Sequence, residues 1–239
     1  MSIADKLTTI AENEQKVYDS GREMGQSDIW DMVQNFGNRT TYTRGFMYWS
    51  GKNFKPKYPI QTDSCEYMFS NFATDEEAVD LRGIDLDTSK SGTFNYMCNF
   101  ANISAFGTID TTSAADIKNI FYNATALHTI EKLVLKADGS QTVNATNTFR
   151  SCSNLVNIYE IVGKFGSNLG LTYSTVLSKN SICQVVNALL DTASGKTLTL
   201  STTAVKKAFE TSEGANDGNT SAEWNALIAT KPNWTIALS

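Results

Sequence analysis

A chain of 239 residues that carries one histidine, His128, lacks most of what hydrolytic chemistry is built from. A nucleophilic triad needs a base beside an activated serine or cysteine, and no such motif surrounds His128. No GxxxxGKS or GxGxxG stretch occurs, so nucleotide phosphates have no cradle. Cysteine is sparse and scattered: Cys65, Cys98, Cys152 and Cys183 lie 33, 54 and 31 residues apart. That spacing suits neither a CxxC pair nor a dense disulfide framework, and with one histidine a zinc site would have to be mostly thiolate. The four read as reduced thiols serving as small apolar core residues. Positive charge is also in deficit. Twenty Lys and Arg against 25 Asp and Glu leave a net charge of -5, which argues against a nucleic-acid partner. Apolar runs of only a few residues exclude a bilayer-spanning helix. The first twenty residues alternate charged and apolar side chains and form no signal-peptide core, which predicts a protein made in the cytoplasm and not inserted in a membrane.

What the chain does contain is enough apolar material for a core, at 41% hydrophobic and 10% aromatic, and a good deal of periodicity. Ile3, Leu7, Ile10, Glu14, Val17, Gly21 and Met24 alternate spacings of four and three, a heptad seam. Branched residues at d with Leu at a favour three or four strands over two. The expected oligomerisation residues are therefore Ile3, Leu7, Ile10, Val17 and Met24, in a homo-oligomeric trimer or tetramer. Only about three heptads exist, so the helix must borrow stability from a partner or from the rest of the chain. A short capped helix is expected over 28–37. A β-favouring run from Thr40 to Trp49 and the proline-punctuated segment 54–60 are expected to form a capping strand and lead-in.

Aligning the chain on Phe69, Met97, Phe121 and Phe149 brings later apolar residues into columns. Ile103, Leu127 and Leu155 form one column, Phe106, Ile130 and Ile158 a second, and Ile109, Leu133 and Ile161 a third. Ala78, Leu81 and Ile84 join them if the first unit carries an insertion in its acidic stretch. Asn71, Asn99, Asn123 and Ser151 stand two residues after the anchors, where an amide ladder would satisfy buried turn backbone. A period of 20 to 30 with one strand-like segment per unit is the pattern of a solenoid.

The best copy, TFRSCSNLVNI at 148–158, has a Phe, a Cys and a Leu-x-x-Ile, and it resembles the BspA-type leucine-rich repeat. NIFYNATALHTI and YMCNFANISAF match it at the anchor and the later columns. The cysteine column of that repeat would hold Cys152, Ala124, Phe100 and Phe72. The resemblance covers roughly 65–163 and implies a right-handed stack of strand-plus-turn units. Beyond it the spacing predicts an amphipathic helix through Ile182, Val185, Val186, Leu189 and Leu190, capped by Ser178 or Ser181. A strand at 197–201, a short helix through Phe209, a helix opened by a Thr220 and Glu223 capping box, and a last strand in NWTIALS follow. The segments SKNSICQVVNALLDTASGKTLTL and ATKPNWTIAL are similar to the ends of repeat proteins encoded in phage and prophage genomes of gut Firmicutes. The opening SIADKLTTIAENEQKVYDSGREMG is similar to the start of many of them.

The expected fold class is thus an α+β solenoid, a leucine-rich-repeat-like stack of about four strand and turn repeats. Residues 1–37 form a helical, coiled-coil or anchoring segment, 38–64 the capping strand and lead-in, 65–167 the repeats and 168–239 an αβ cap. The resemblances imply a non-enzymatic virion protein of a tail, baseplate or head fibre, without cofactor or metal. It would assemble with itself or with other virion proteins and present a surface to a host glycan or protein. A bacterial leucine-rich-repeat adhesin or interaction module is the alternative, and a glycan-cleaving fibre enzyme a third. Arg82, His128, Lys132 and Tyr159 lie between the apolar columns and are the candidate binding residues. Asp75, Glu76, Glu77, Asp80, Asp85 and Asp87 cluster in the first repeat; a solvated loop explains them better than a carboxylate pair or a weak cation site.

Overall fold

The computed structural model of the chain describes residues 44–48, 54, 56, 59–74, 77–141, 145–209 and 221–239, with Glu12 besides. The heptad residues Ile3, Leu7, Ile10, Val17 and Met24 and the short helix expected over 28–37 lie outside these residues. Within them the apolar columns become strand pairs. Strands β1 (Ile60–Gln61), β2 (Val79–Asp80), β3 (Leu86–Asp87), β4 (Ile103–Asp110), β5 (Thr129–Val134) and β6 (Asn157–Val162) pair only in parallel, as β1-β3 and as β2-β4-β5-β6. Phe106 faces Ile130 and then Ile158, and Ile109 faces Leu133 and then Ile161. Core positions recur every third residue, so two consecutive side chains per rung point outward where a flat strand would show one. The result is a mostly parallel β-solenoid of about five turns with few helices. In the first unit a bulge between Val79 and Asp80 places Val79, not Ala78, level with Ile103, and Leu81 then donates to the Ala105 carbonyl at 2.8 Å.

The opposite corner of each rung is a tight turn, and its backbone bonds correct the alignment by one residue. The N–H groups of Phe69, Cys98 and Phe121 donate to the carbonyls of Met97, Ile120 and Thr148 at 2.7 to 2.9 Å. Each anchor therefore bonds the residue preceding the next anchor, which makes Cys98, not Met97, the second anchor. Ala101 consequently lies in the column of Phe72, Ala124 and Cys152, while Phe100, expected in the core, is 54% exposed. Residues 44–48 belong to the same series, with Phe46 donating to Met68 at 2.9 Å. The part of the 40–49 run that is described is thus a further turn of the stack and not a capping strand.

Two positions flank the anchors in the left-handed region, the first of them missing at Phe149. Two residues before the anchor stand Arg44, Tyr67, Tyr96 and Asn119, and two after it Tyr48, Asn71, Phe100, Asn123 and Ser151, all at φ 52° to 62°. An L residue there costs roughly 1–2 kcal/mol, which Asn tolerates best. Asn71 and Asn123 are explained by backbone conformation. The amide ladder expected from their side chains does not form along this column, where the Asn71 amide donates to Ser70 Oγ at 3.2 Å.

Inside the stack, Phe46 lies on Phe69 (centroids 5.3 Å, 17°) and Phe121 on Phe149 (5.5 Å, 16°). The small Cys98 interrupts this column. From the strand side, Phe106 fills the gap, 6.2 Å from Phe69 and 5.8 Å from Phe121, in a column otherwise held by Leu81, Ile130 and Ile158. Small and large residues alternate across the core to fill one volume. All four cysteines are free; Cys65, Cys98 and Cys152 are fully buried and Cys183 only in part. Burial pushes the thiols of Cys65 and Cys152 up to about 12 and that of Cys98 well above its ordinary value.

Past the fourth strand of the face, helix α1 (Lys179–Asn187) takes the next rung. Its N-cap Ser178 accepts from Ser181 N–H, while the Ser181 hydroxyl turns inward, donating to Val156 O and accepting from Ile158 N–H. Strands β7 (Leu169–Leu171), β8 (Lys196–Leu200) and β9 (Trp234–Leu238) form a second parallel sheet in line with the turn corner through an Ala145 and Leu169 bridge. Helices α2 (Thr202–Phe209) and α3 (Ala222–Ala229) pack Phe209 against the buried Trp224. Ser221 caps α3, its hydroxyl accepting from Trp224 N–H at 3.2 Å, while Thr220 of the expected capping box lies outside the described residues. The buried Lys231 ammonium closes the C-terminal end of α1, donating to Leu189 O at 2.9 Å and to the Asp191 carboxylate at 2.5 Å.

Two outcomes follow from this packing. Phe106→Ala should lower the unfolding free energy by about 3–5 kcal/mol, whereas Phe106→Ile combined with Cys98→Phe should recover part of that loss, as measured by urea unfolding of the single and double variants. The buried thiols hold their protons in the folded state, and the unfolded chain releases its own near pH 8.5. Stability is therefore lost as pH rises above that value, by roughly 1–2 kcal/mol per thiol at pH 10. Unfolding at pH 7 and pH 10 should show a smaller drop for Cys152→Ala than for the parent chain.

Candidate functional site

Because two side chains per rung face outward, the β2-β4-β5-β6 face is ruled into rows. Register places Gly107 opposite Glu131 and Glu131 opposite Tyr159; on the other side a Cβ on Gly107 would lie 3.5 Å from the Arg82 carbonyl oxygen. Arg82, Gly107, Glu131 and Tyr159 thus form one row, and Thr108, Lys132 and Glu160 the next. The missing side chain at Gly107 opens a notch of about 230 Å³, lined by Arg82, Asp85, Leu86, Thr108 and Glu131 among others.

Charge on this face is paired. Arg82 Nε donates to both Asp80 oxygens at 3.0 Å and Nη2 to one of them at 2.5 Å, while Nη1 stands 3.9 Å from Glu131. The guanidinium holds the Asp80 carboxyl below the usual carboxylate range. Lys132 Nζ lies 3.1 Å from Glu160. These pairs are about half exposed and add little to stability; their effect is to hold the side chains in place. Of the four candidate residues, Arg82 and Tyr159 share a row and Lys132 occupies the adjacent one. His128 sits just before β5, its Nδ1 3.0 Å from Thr129 Oγ1 and its backbone bonded to Ser104, Val156 and Asn157, away from the Arg82 row. The acidic residues of the first repeat that are described serve local structure. Asp80 holds Arg82, and Asp87 accepts from Ser89 N–H at 3.0 Å and from its hydroxyl at 2.6 Å, which lowers the Asp87 carboxyl. Among the described residues no group of three His, Cys, Asp or Glu could hold a metal ion.

A second surface was not singled out by the columns, because it lies on the turns. The Arg44 guanidinium stands 5.4 Å over the Tyr67 ring, Tyr67 stacks on Tyr96 at 5.3 Å, Tyr96 meets Tyr122 edge-on at 5.9 Å, and Arg150 stands 5.6 Å over Tyr122. Five rungs are thereby joined on the outside by alternating cation and ring contacts. Beside this diagonal lie the exposed rings of Tyr48, Phe100 and Tyr173. The signal in the sequence is the dipeptide Tyr-Met, present at 67–68 and again at 96–97, each four residues before a left-handed Asn71 or Phe100.

No family model, curated protein or solved structure matches the chain. The chemistry of the two surfaces therefore carries the functional argument. The strand face offers fixed charges of both signs around a glycine notch, and the corner offers half-buried and exposed rings at rung spacing.

Gly107 tests whether the notch is a packing necessity. A Cβ there meets only ordinary contacts, so Gly107→Leu should fill the notch while leaving the unfolding free energy within about 0.5 kcal/mol of the parent. A loss of several kcal/mol in urea unfolding would instead assign the glycine to the backbone.

Proposed function

We propose that the chain is a non-enzymatic structural protein of a phage particle, a tail, baseplate or head-fibre component, and that its stack is of the BspA-type leucine-rich-repeat kind. The observation that carries this reading is the division of labour across each rung. Apolar columns, cysteines and buried hydroxyls are consumed by packing, and the remaining distinctive chemistry is displayed on two outer faces in register over several rungs. Such a surface recognises by repetition and needs no reacting group. The resemblance of both termini to phage-encoded repeat proteins supports the particle, and the heptad spacing of Ile3, Leu7, Ile10, Val17 and Met24 supports assembly into a trimer or tetramer. In this reading the protein resides in the virion and the outer faces meet a glycan or protein of the host surface. Arg82, Lys132 and Tyr159 are its strand-face contacts.

Two measurements test it. Mass spectrometry of purified particles should find the chain as a stoichiometric component; its absence from particles, with presence on the bacterial surface, would favour an adhesin. In sedimentation equilibrium the full chain should behave as a trimer or tetramer at micromolar concentration, and a variant with Ile10→Asp and Val17→Asp should be a monomer. A parent chain that is already monomeric would remove self-assembly through the heptads.

A further inference from the structure

Tyr48 and Phe100, the exposed aromatic residues in left-handed turn positions, stand where the backbone would be less strained without them. At the position two residues after the anchor, Asn71 and Asn123 occupy the left-handed region that Tyr48 and Phe100 occupy in neighbouring rungs. At the position two before it, Asn119 occupies what Tyr67 and Tyr96 occupy. Asn is the cheaper residue at φ near +55°, and a bulky ring there adds backbone strain. Phe100 at 54%, Tyr48 at 67% and Tyr173 at 50% exposure gain little from burial in return. Tyr173 continues the same column without the left-handed φ, since Thr175 N–H donates to its carbonyl as Thr125 N–H does to that of Asn123. Residues that cost strain and expose apolar surface are retained for something other than folding.

We infer that the turn corner is a binding ledge for an extended, neutral saccharide chain lying along the solenoid axis. Successive rungs stand about 4.8 Å apart, so Tyr48 and Phe100, two rungs apart, present rings about 10 Å from each other, with the Asn71 amide between them. Beyond Phe100 come Asn123, Ser151 and then Tyr173. A pyranose has the matching chemistry. Its C–H face stacks on a ring, its hydroxyls exchange hydrogen bonds with amides and hydroxyls, and its polymer repeats both at regular intervals. A protein partner would be met better by one contiguous apolar patch than by single rings separated by amides. A nucleic-acid strand would stack equally well but needs a cationic track. Here Arg44 and Arg150 are already laid over Tyr67 and Tyr122, Glu66 lies in the same turn, and the chain is net -5. The inference rests on the reading of the chain as a non-catalytic binding scaffold and is independent of its place in a particle.

Affinity electrophoresis of the full chain through gels containing a β-1,4-glucan, a galactomannan or dephosphorylated bacterial wall polysaccharide tests it. At least one polysaccharide should retard the parent chain, and added salt should leave the retardation unchanged. Phe100→Asn and Tyr48→Asn should each weaken it at least tenfold with no fall in melting temperature, because Asn71 and Asn123 already serve that position in adjacent rungs. Lys207→Ala, on the exposed side of α2 and outside both surfaces, should have no effect. Retardation by none of the three, or retardation insensitive to both Asn variants, overturns the ledge. Loss through Tyr159→Ala alone moves binding to the strand face and leaves the attachment reading standing. Salt-sensitive retardation by single-stranded oligonucleotide and not by polysaccharide also overturns it.

Discussion

Every rung of this protein is held by peptide groups that can be satisfied only by the rung beside it. On the strand face the partners are parallel neighbours, and at the corner they are the carbonyls that receive the N–H groups of Phe46, Phe69, Cys98 and Phe121. A polar backbone group buried without a partner costs enough that one unit alone would not persist. Stacking is therefore a condition of folding for each unit, and residues separated by 23 to 29 positions are forced into the same column. Residues 44–48 show the constraint at work: with little sequence likeness to the other repeats, they take the same two left-handed positions because the carbonyls of Glu66, Met68 and Ser70 require donors there.

The same constraint separates inside from outside. Once the columns are aligned, a residue chosen for the core is tested against its neighbours above and below. Phe106 is large where its column is aliphatic because Cys98 is small where its own column is aromatic. Outward residues face no such test, and so the tyrosine diagonal and the Arg82 row could take on chemistry that packing does not ask for. At the far end the constraint changes form, and Ser181 supplies from a helix the donor and acceptor that another strand would have offered to β6. Lys231 does similar work where α1 ends and its carbonyls lack helical partners.

From the second repeat onward the strand columns were legible in the sequence to the residue, whereas in the first the bulge at Val79 displaced them by one. Phe106 and Ile109 pair with Ile130 and Leu133, and these with Ile158 and Ile161, as their spacing predicts, because parallel register preserves sequence offset. The corner was legible only to within one residue. Met97 and Cys98 are both apolar and both buried, so hydrophobicity could not choose between them, and the wrong choice placed Phe100 in the core. The strand-face candidates were visible as residues between columns, but their grouping was not. Arg82 and Tyr159 come together across Gly107 and Glu131, which lie in intervening repeats, and His128 is turned away by its own local bonds. The tyrosine diagonal steps from one turn position at Tyr67 and Tyr96 to another at Tyr122, a shift that no single column contains.

By itself the sequence determined the periodic placement of apolar residues, and with it a stacked fold, since a repeat with one apolar side has nowhere to bury it but against its neighbours. It also determined what the core would consume: the phenylalanine anchors and the buried thiols of Cys65, Cys98 and Cys152. Only the tertiary structure decided the phase of the turns, because that depends on which backbone N–H finds which carbonyl in another rung. With the phase came the left-handed positions and the surface on which Tyr67, Tyr96, Tyr122 and Phe100 gather.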